Sequence, residues 1–400
     1  MKRVVVVGAS AGGLATAEAL RGLGYAGGIT LIGSESCLPY DRPPLSKQIL
    51  AGELEPNQIL LRRPEDLDAL DLDLRLGETA EAADTIGRKV VVGGGRIEYD
   101  ALVVATGARP RQLPGSEGVR GVHHLRTLED ALALKAHLAP GRRLIVVGAG
   151  FIGAEAASTA RGLGVEVTMI EPGPVPLAGA LGPLVGRMLA DVHRDHGVVL
   201  RTGTAVDGVL SSGGRATGVR LADGTEVNGD AVVVGIGARP NTEWLRGSGL
   251  PLSDGLVCDE YCRAAPSVYG VGDVARWHNA LFGGLMRVEH RTNAAEAGLA
   301  VARNLLRPAE RRPFMPVPYF WSDQYGLKIQ AYGHLRGHEE VAIVDGGLDR
   351  RRLIAAYRKE DRLVGVVAVN SRPKELRTWR AAIADRRPWS AVAGDALAPV

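Results

Sequence analysis

The chain repeats itself, and that repetition limits its possible folds more than any other feature. VVVVGASAGG, ending at Gly13, matches LIVVGAGFIG, ending at Gly153, and each leads into a small-residue segment that closes on RGLG, at Gly24 and Gly164. A second pair recurs in the same order: TGARP from Thr106 to Pro110 and IGARP from Ile236 to Pro240. Both follow short apolar runs, ALVVA and AVVVG, that read as buried parallel strands. The offsets, 140 residues from Gly13 to Gly153 and 130 from Thr106 to Ile236, are far too long for a solenoid. Strand, glycine turn, helix and strand in this order predict an α/β chain with two Rossmann-like dinucleotide-binding domains on parallel sheets. From about residue 313 the texture changes to alternating strand-like segments, which predicts a smaller C-terminal α+β domain.

The second glycine turn is complete. Gly148, Gly150 and Gly153 form G-x-G-x-x-G between strand and helix. The first glycine makes the turn, the second admits a pyrophosphate to the backbone, and the third lets the helix pack closely. The next strand, VEVTMIE, ends at Glu171, where a carboxylate accepts from a ribose 2′-hydroxyl and repels a 2′-phosphate. EPGPVPLAG after it holds no arginine, so NAD is favoured over NADP. The first turn reads Gly8, Ser10, Gly13, with serine at the second position, and Glu35 ends its following strand. Two such turns mean either two nicotinamide sites or one flavin and one nicotinamide site. Hydride transfer needs a donor and an acceptor together, which favours the second.

Composition narrows the class. A formal charge of +3 over 400 residues does not suggest nucleic-acid binding. No stretch approaches the roughly 18 apolar residues of a membrane span, and the apolar run of MKRVVVVG breaks at Gly8, too early for a signal peptide. Cys37, Cys258 and Cys262 cannot make a disulfide framework, which fits a soluble cytoplasmic protein. Cys258 and Cys262, in CDEYC, match neither a C-x-x-C redox motif nor a closed zinc site, so they are expected to be structural thiols. No metal site is expected.

YDRPPLSK (Tyr40 to Lys47), together with ATGARP, GFIGAE, GVGDVA (Gly270 to Ala275) and YFWSDQYGLKIQ (Tyr319 to Gln330), resembles the FAD-dependent ferredoxin reductases of bacterial oxygenase systems. The resemblance spans residues 1 to about 335 in order. It implies a glutathione-reductase-like chain: a discontinuous FAD domain over 1–110 and 236–312, an NAD domain over 111–235, and a C-terminal domain over 313–400. It also implies site residues. Gly8, Ser10, Gly13 and Glu35 would hold the FAD adenosine half, with Arg42 near the pyrophosphate. Lys47 would lie beside the isoalloxazine, Thr106, Gly107 and Arg126 would contact FAD, Asp273 would accept from the ribitol, and Trp321 would border the ring. Gly150, Phe151, Ile152, Gly153, Glu171 and Gly237 would bind NADH, with Glu155 and Glu289 near the nicotinamide. Lys47, Glu155 and Trp321 are the expected catalytic residues. One departure stands out: RVEHRTNA has Arg291 where many relatives carry tryptophan.

The implied reaction takes hydride from NADH to FAD and then passes single electrons to a small acidic iron–sulfur ferredoxin, which serves a cytochrome P450 or other oxygenase. A monomer or weak dimer is expected. A basic docking face is expected for an acidic partner; Arg350, Arg351 and Arg352, and the segment from Ser371 to Arg380, are candidates for it, with an ordinary solvated surface the alternative for each. Two alternatives stay open. One is the same fold with a small-molecule acceptor such as oxygen, a quinone or monodehydroascorbate. The other is an apoptosis-inducing-factor-like binding role, against which the low net charge counts.

Overall fold

The computed structural model describes residues 1–393. The chain divides into two units. The first comprises Met1–Asp41, Asn57–Arg109 and Arg239–Pro318; the second comprises Arg42–Pro56, Pro110–Ala238 and the chain from Tyr319.

In the first unit Val4, Val5, Val6 and Val7 are buried in the strand Arg3–Val7. Parallel strands Gly28–Gly33 and Ala101–Val104 flank it. The sheet continues to Asp73–Leu76 on one side and to Val268–Gly270 and Arg263–Ala265 on the other. Unbroken aliphatic runs suit parallel strands covered on both faces, and each fully buried valine contributes roughly 2 kcal/mol. Helices Ala11–Gly22 and Arg291–Leu306 pack together in this unit. An antiparallel meander, Ala80–Asp84, Lys89–Val92 and Gly95–Glu98, precedes the strand Ala101–Val104 in the chain.

The second unit repeats this plan. Strand Arg143–Val147 lies between parallel strands Glu166–Glu171 and Ala231–Val234, with Val199–Thr202 and Val122–His123 at the edges. Its meander, Val206–Ser212, Arg215–Leu221 and Glu226–Asn228, again precedes the strand that joins the central one. The duplication therefore extends beyond the repeated motifs to strand order and to the place of the meander.

The same unit carries a five-stranded antiparallel sheet in the order Tyr319–Gln324, Leu327–Gly333, Arg362–Val369, Arg352–Lys359, Glu340–Gly347. One face, with Ile329, Ala331, Leu353, Ala355 and Val367, forms a core with Leu181, Val185 and Leu189 of the helix Ala178–Asp195. That helix breaks at Gly182 before Pro183. Proline supplies no N–H and forces the break. The Tyr357 hydroxyl donates to the nearby Leu181 carbonyl at 2.5 Å. Helix Pro373–Ala384 opens on proline, a residue suited to the first helical position, and contacts the strands Arg362–Val369 and Leu327–Gly333. Among the described residues no helix is long and apolar enough to cross a membrane.

Candidate functional site

The two glycine turns share one steric logic. A Cβ on Gly13 would sit 1.8 Å from Gly8 O, and one on Gly153 would sit 2.1 Å from Gly148 O. Gly8 and Gly148 have φ of +118° and +95°, conformations that L side chains rarely adopt. At the middle position the protein makes no such demand. The nearest atom to a Cβ on Gly150 is Gly235 O, at 3.9 Å. Serine at position 10 thus replaces glycine at the one place where the turn's own packing tolerates a side chain.

Among the described residues, both turns deliver a helix N-terminus with no side-chain cap. Ser10 and Gly150 are the N-caps, neither makes a side-chain capping bond, and neither helix has an acidic residue in its first turn. Uncapped donors with no competing carboxylate fit a pyrophosphate. In the second unit Glu171 reaches back from the end of its strand and accepts from Ala149 N and Gly173 N, both at 2.8 Å. These bonds fix the carboxylate and leave lone pairs for ribose hydroxyls. Ile152 keeps 44% of its surface exposed at the helix start, an apolar face open beside the turn. Gly237, with φ +92°, accepts at its carbonyl from Arg111 N at 2.9 Å.

In the first unit Glu35 accepts from the Tyr40 hydroxyl. Thr106 and Gly107 are tied to the second repeat motif through Asn241. Thr106 Oγ1 donates to Asn241 O at 2.8 Å, Asn241 Nδ2 donates to Thr106 O at 2.9 Å, and Asn241 N donates to Gly107 O at 2.9 Å. Arg109 extends this clamp, pairing with Glu243 at 2.6 Å. Asp273 is the middle residue of the short 3-10 turn Gly272–Val274, and its carbonyl accepts from Arg287 Nη1 at 3.3 Å. Glu289 pairs with the same guanidinium at 2.7 Å. Arg291, the departure noted in the sequence, is the first residue of its helix and pairs with Asp41.

In the second unit the expected catalytic residues Lys47 and Glu155 meet directly, Nζ to Oε2, at 2.8 Å. Trp321 stacks on Tyr319 with ring centres 5.9 Å apart. Phe151 meets Phe320 edge-on at 4.8 Å. Arg42 donates to the Arg126 carbonyl, and the N–H of Arg126 donates at 3.0 Å to Oδ2 of Asp130, which with Thr127 forms the capping box of the helix Leu128–Lys135. Sequence reasoning missed Ser46, Ser322, Tyr40 and Asn241. Ser46 and Ser322 adjoin Lys47 and Trp321 inside motifs already singled out, and adjacency was their only signal.

Cys258 and Cys262 are buried free thiols. Burial pushes Cys258 up to about 12 and Cys262 well above the ordinary thiol range, so neither supplies a thiolate. In the basic cluster, Arg351 pairs with Asp195, and Arg352 pairs with Asp345 at 2.9 Å and Glu375 at 3.6 Å, leaving Arg350 exposed beside them. Lys374, Arg377 and Arg380 lie exposed on the helix Pro373–Ala384. Among the described residues no cluster of three or more His, Cys, Asp or Glu is arranged to hold a metal ion.

Comparison with known proteins bears on this arrangement. Residues 2–298 match the family described as pyridine nucleotide-disulphide oxidoreductase, and residues 319–397 match that described as reductase C-terminal. Putidaredoxin reductase CamA of Pseudomonas putida is 36% identical over 393 residues, covering 96% of this chain and 92% of that protein. The ferredoxin–NAD(+) reductase component of the p-cumate 2,3-dioxygenase system of Pseudomonas putida is 35% identical over 381 residues, covering 94% and 92%. The fold is similar to that in the crystal structure of the covalent putidaredoxin reductase–putidaredoxin complex, with a TM-score of 0.92 at 34% identity, over 97% of this chain and 94% of that one. Matches of this extent, on a chain with two glycine turns of one design each feeding a parallel sheet, leave one assignment: the chain belongs to the pyridine nucleotide-disulphide oxidoreductase family.

Proposed function

We propose that the protein is an NADH-dependent ferredoxin reductase that holds FAD, takes hydride from NADH and delivers single electrons to a small acidic iron–sulfur ferredoxin, which in turn serves a cytochrome P450 or other oxygenase. The observation that carries this reading is the full-length similarity to reductases of oxygenase systems, in a chain whose two glycine turns both present a helix N-terminus with no side-chain cap. FAD, when bound, supplies the conversion of a two-electron donor into single-electron transfers.

The chain's own residues bind and orient. Gly8, Ser10, Gly13 and Glu35 hold the FAD adenosine half, and Arg42, Thr106, Gly107, Arg126 and Asp273 complete the FAD contacts. Gly150, Phe151, Ile152, Gly153, Glu171 and Gly237 hold NADH, with Glu289 near the nicotinamide. Lys47, paired with Glu155, supplies the cation at the flavin, and Trp321 gives the ring an apolar wall. Cys258 and Cys262, buried and protonated, stay outside the electron path. We assign the FAD domain to 1–110 and 236–312, the NAD domain to 111–235 and the C-terminal domain to 313–400, in a cytoplasmic protein that is a monomer or weak dimer.

The test is NADH-driven cytochrome c reduction by the FAD-loaded protein with and without a [2Fe–2S] ferredoxin from the same source. A large ferredoxin-dependent gain supports the reading. Rapid bleaching of the flavin by NADH without that gain assigns a small-molecule acceptor instead.

A further inference from the structure

Glu155 is 4% exposed, and both its oxygens have donors. Oε2 accepts from Ser46 Oγ at 2.5 Å and from Lys47 Nζ at 2.8 Å. Oε1 accepts from Ser322 Oγ at 2.7 Å. Ser322 Oγ in turn accepts from Gln324 Nε2 at 3.1 Å. Ser46, Ser322 and Gln324 are each at most 2% exposed.

These groups come from three separate segments that meet through their periodicities. Phe151, Glu155 and Thr159 recur at four-residue spacing and share a helix face. Phe320, Ser322 and Gln324 recur at two-residue spacing and share a strand face. Phe151 meets Phe320, Glu155 meets Ser322, and Thr159 Oγ1 donates to Ser46 O at 2.8 Å.

A buried ion pair is stable only when its remaining lone pairs are satisfied, and a carboxylate bound through one oxygen can still turn about its last bond. Lys47 cannot fix itself, because its four-carbon stem is flexible. We propose that Ser46, Ser322 and Gln324 are positioning residues that lock the Glu155 carboxylate and, through it, the Lys47 ammonium. Gln324 donates to Ser322 and so directs the single Ser322 proton onto Glu155. Ser322 then holds Oε1 while Ser46 and Lys47 share Oε2. The role of Lys47 at the flavin rests on the ferredoxin-reductase reading; the locking itself does not.

The experiment uses the full-length, FAD-loaded protein as wild type, Ser322→Ala, Ser322→Thr, Glu155→Gln and the double variant Ser322→Ala/Glu155→Gln, with thermal unfolding confirming that each folds. Two readouts are taken. The first is the rate of Lys47 modification by acetic anhydride, followed by peptide mass spectrometry. The second is stopped-flow reduction of the flavin by NADH, with the limiting rate separated from NADH affinity. Ser322→Ala is expected to raise Lys47 modification and to slow the limiting rate about tenfold, with NADH affinity changed by less than about twofold. Ser322→Thr restores both, and in the Glu155→Gln background Ser322→Ala adds little. Unchanged Lys47 modification in Ser322→Ala, or the same loss in both backgrounds, overturns the proposal. Should modification respond while NADH fails to reduce the wild-type flavin, the functional reading falls and the positioning role stands.

Discussion

The Arg291 guanidinium lies with Nε 2.5 Å from Asp41 Oδ1, placing a cation on the first residue of the helix Arg291–Leu306. A positive charge there opposes the helix dipole, and Asp41 offsets it. The partners are 29% and 34% exposed, so the pair contributes at most about 1 kcal/mol. The two truncations should therefore differ. Arg291→Ala loses the pair but also removes the unfavourable charge, and stability should change little. Asp41→Ala leaves that charge uncompensated and should lower the melting temperature more. Equal shifts for the two variants would show that the dipole plays no part.

Nucleotide choice should depend on Glu171. Its two backbone bonds, from Ala149 N and Gly173 N, hold the carboxylate in place, and the proposed role gives it the ribose hydroxyls to bind. Losing a charge-assisted bond of about 1.5 kcal/mol corresponds to roughly tenfold in affinity. Glu171→Ala should raise the KM for NADH by about that factor and narrow the NADH-over-NADPH ratio of kcat/KM. Steady-state kinetics with both nucleotides decide it, and an unaltered ratio removes Glu171 from the specificity site.

Partner docking should respond to Arg377 and Arg380 more than to Arg351 and Arg352, which already pair with Asp195, Asp345 and Glu375. Charge reversal at Arg377 and Arg380 should weaken ferredoxin turnover at low salt and leave NADH-to-ferricyanide activity intact. Loss of both activities together would place the effect in folding.

Acid stability should carry the mark of His193. It is fully buried, its Nδ1 lies 2.8 Å from the Tyr325 hydroxyl, and its Nε2 has no hydrogen-bond partner among the described residues. Burial, with His196 beside it, lowers His193 from 6.5 to about 4. The folded imidazole thus stays neutral in a range where the unfolded chain takes up a proton. Its contribution is present above pH 6.5 and is lost as pH falls toward about 4, on the order of 3 kcal/mol in all. Urea unfolding across this window should show a shallower pH slope in His193→Gln than in the wild type. An identical slope would assign the acid limb to other groups.

Local signals made much of this protein legible. The two glycine turns, Glu171 at the end of its strand and the unbroken valine runs each report on residues near one another in the chain, where backbone sterics and strand burial leave few options. Glu35, expected to end the first repeat's strand, lies two residues beyond the strand Gly28–Gly33. The texture change near residue 313 likewise marked the antiparallel sheet that follows. Cys258 and Cys262 read as structural thiols because neither their spacing nor their surroundings could lower a thiol pKa, and their burial agrees.

What the chain alone did not disclose are partnerships across long separations. Asp41 gave no sign of Arg291, nor Thr106 of Asn241, and Arg351 and Arg352 read as free surface charge until Asp195, Asp345 and Glu375 were found against them. The serines around Glu155 looked like filler in two motifs 276 residues apart, Ser46 and Ser322. Sequence by itself determined where most strands and the two glycine turns lie, because those follow from the conformational limits of neighbouring residues. Only tertiary structure decided which buried charge meets which donor, because a hydrogen bond needs atoms within about 3 Å, and the packing of distant segments sets that distance.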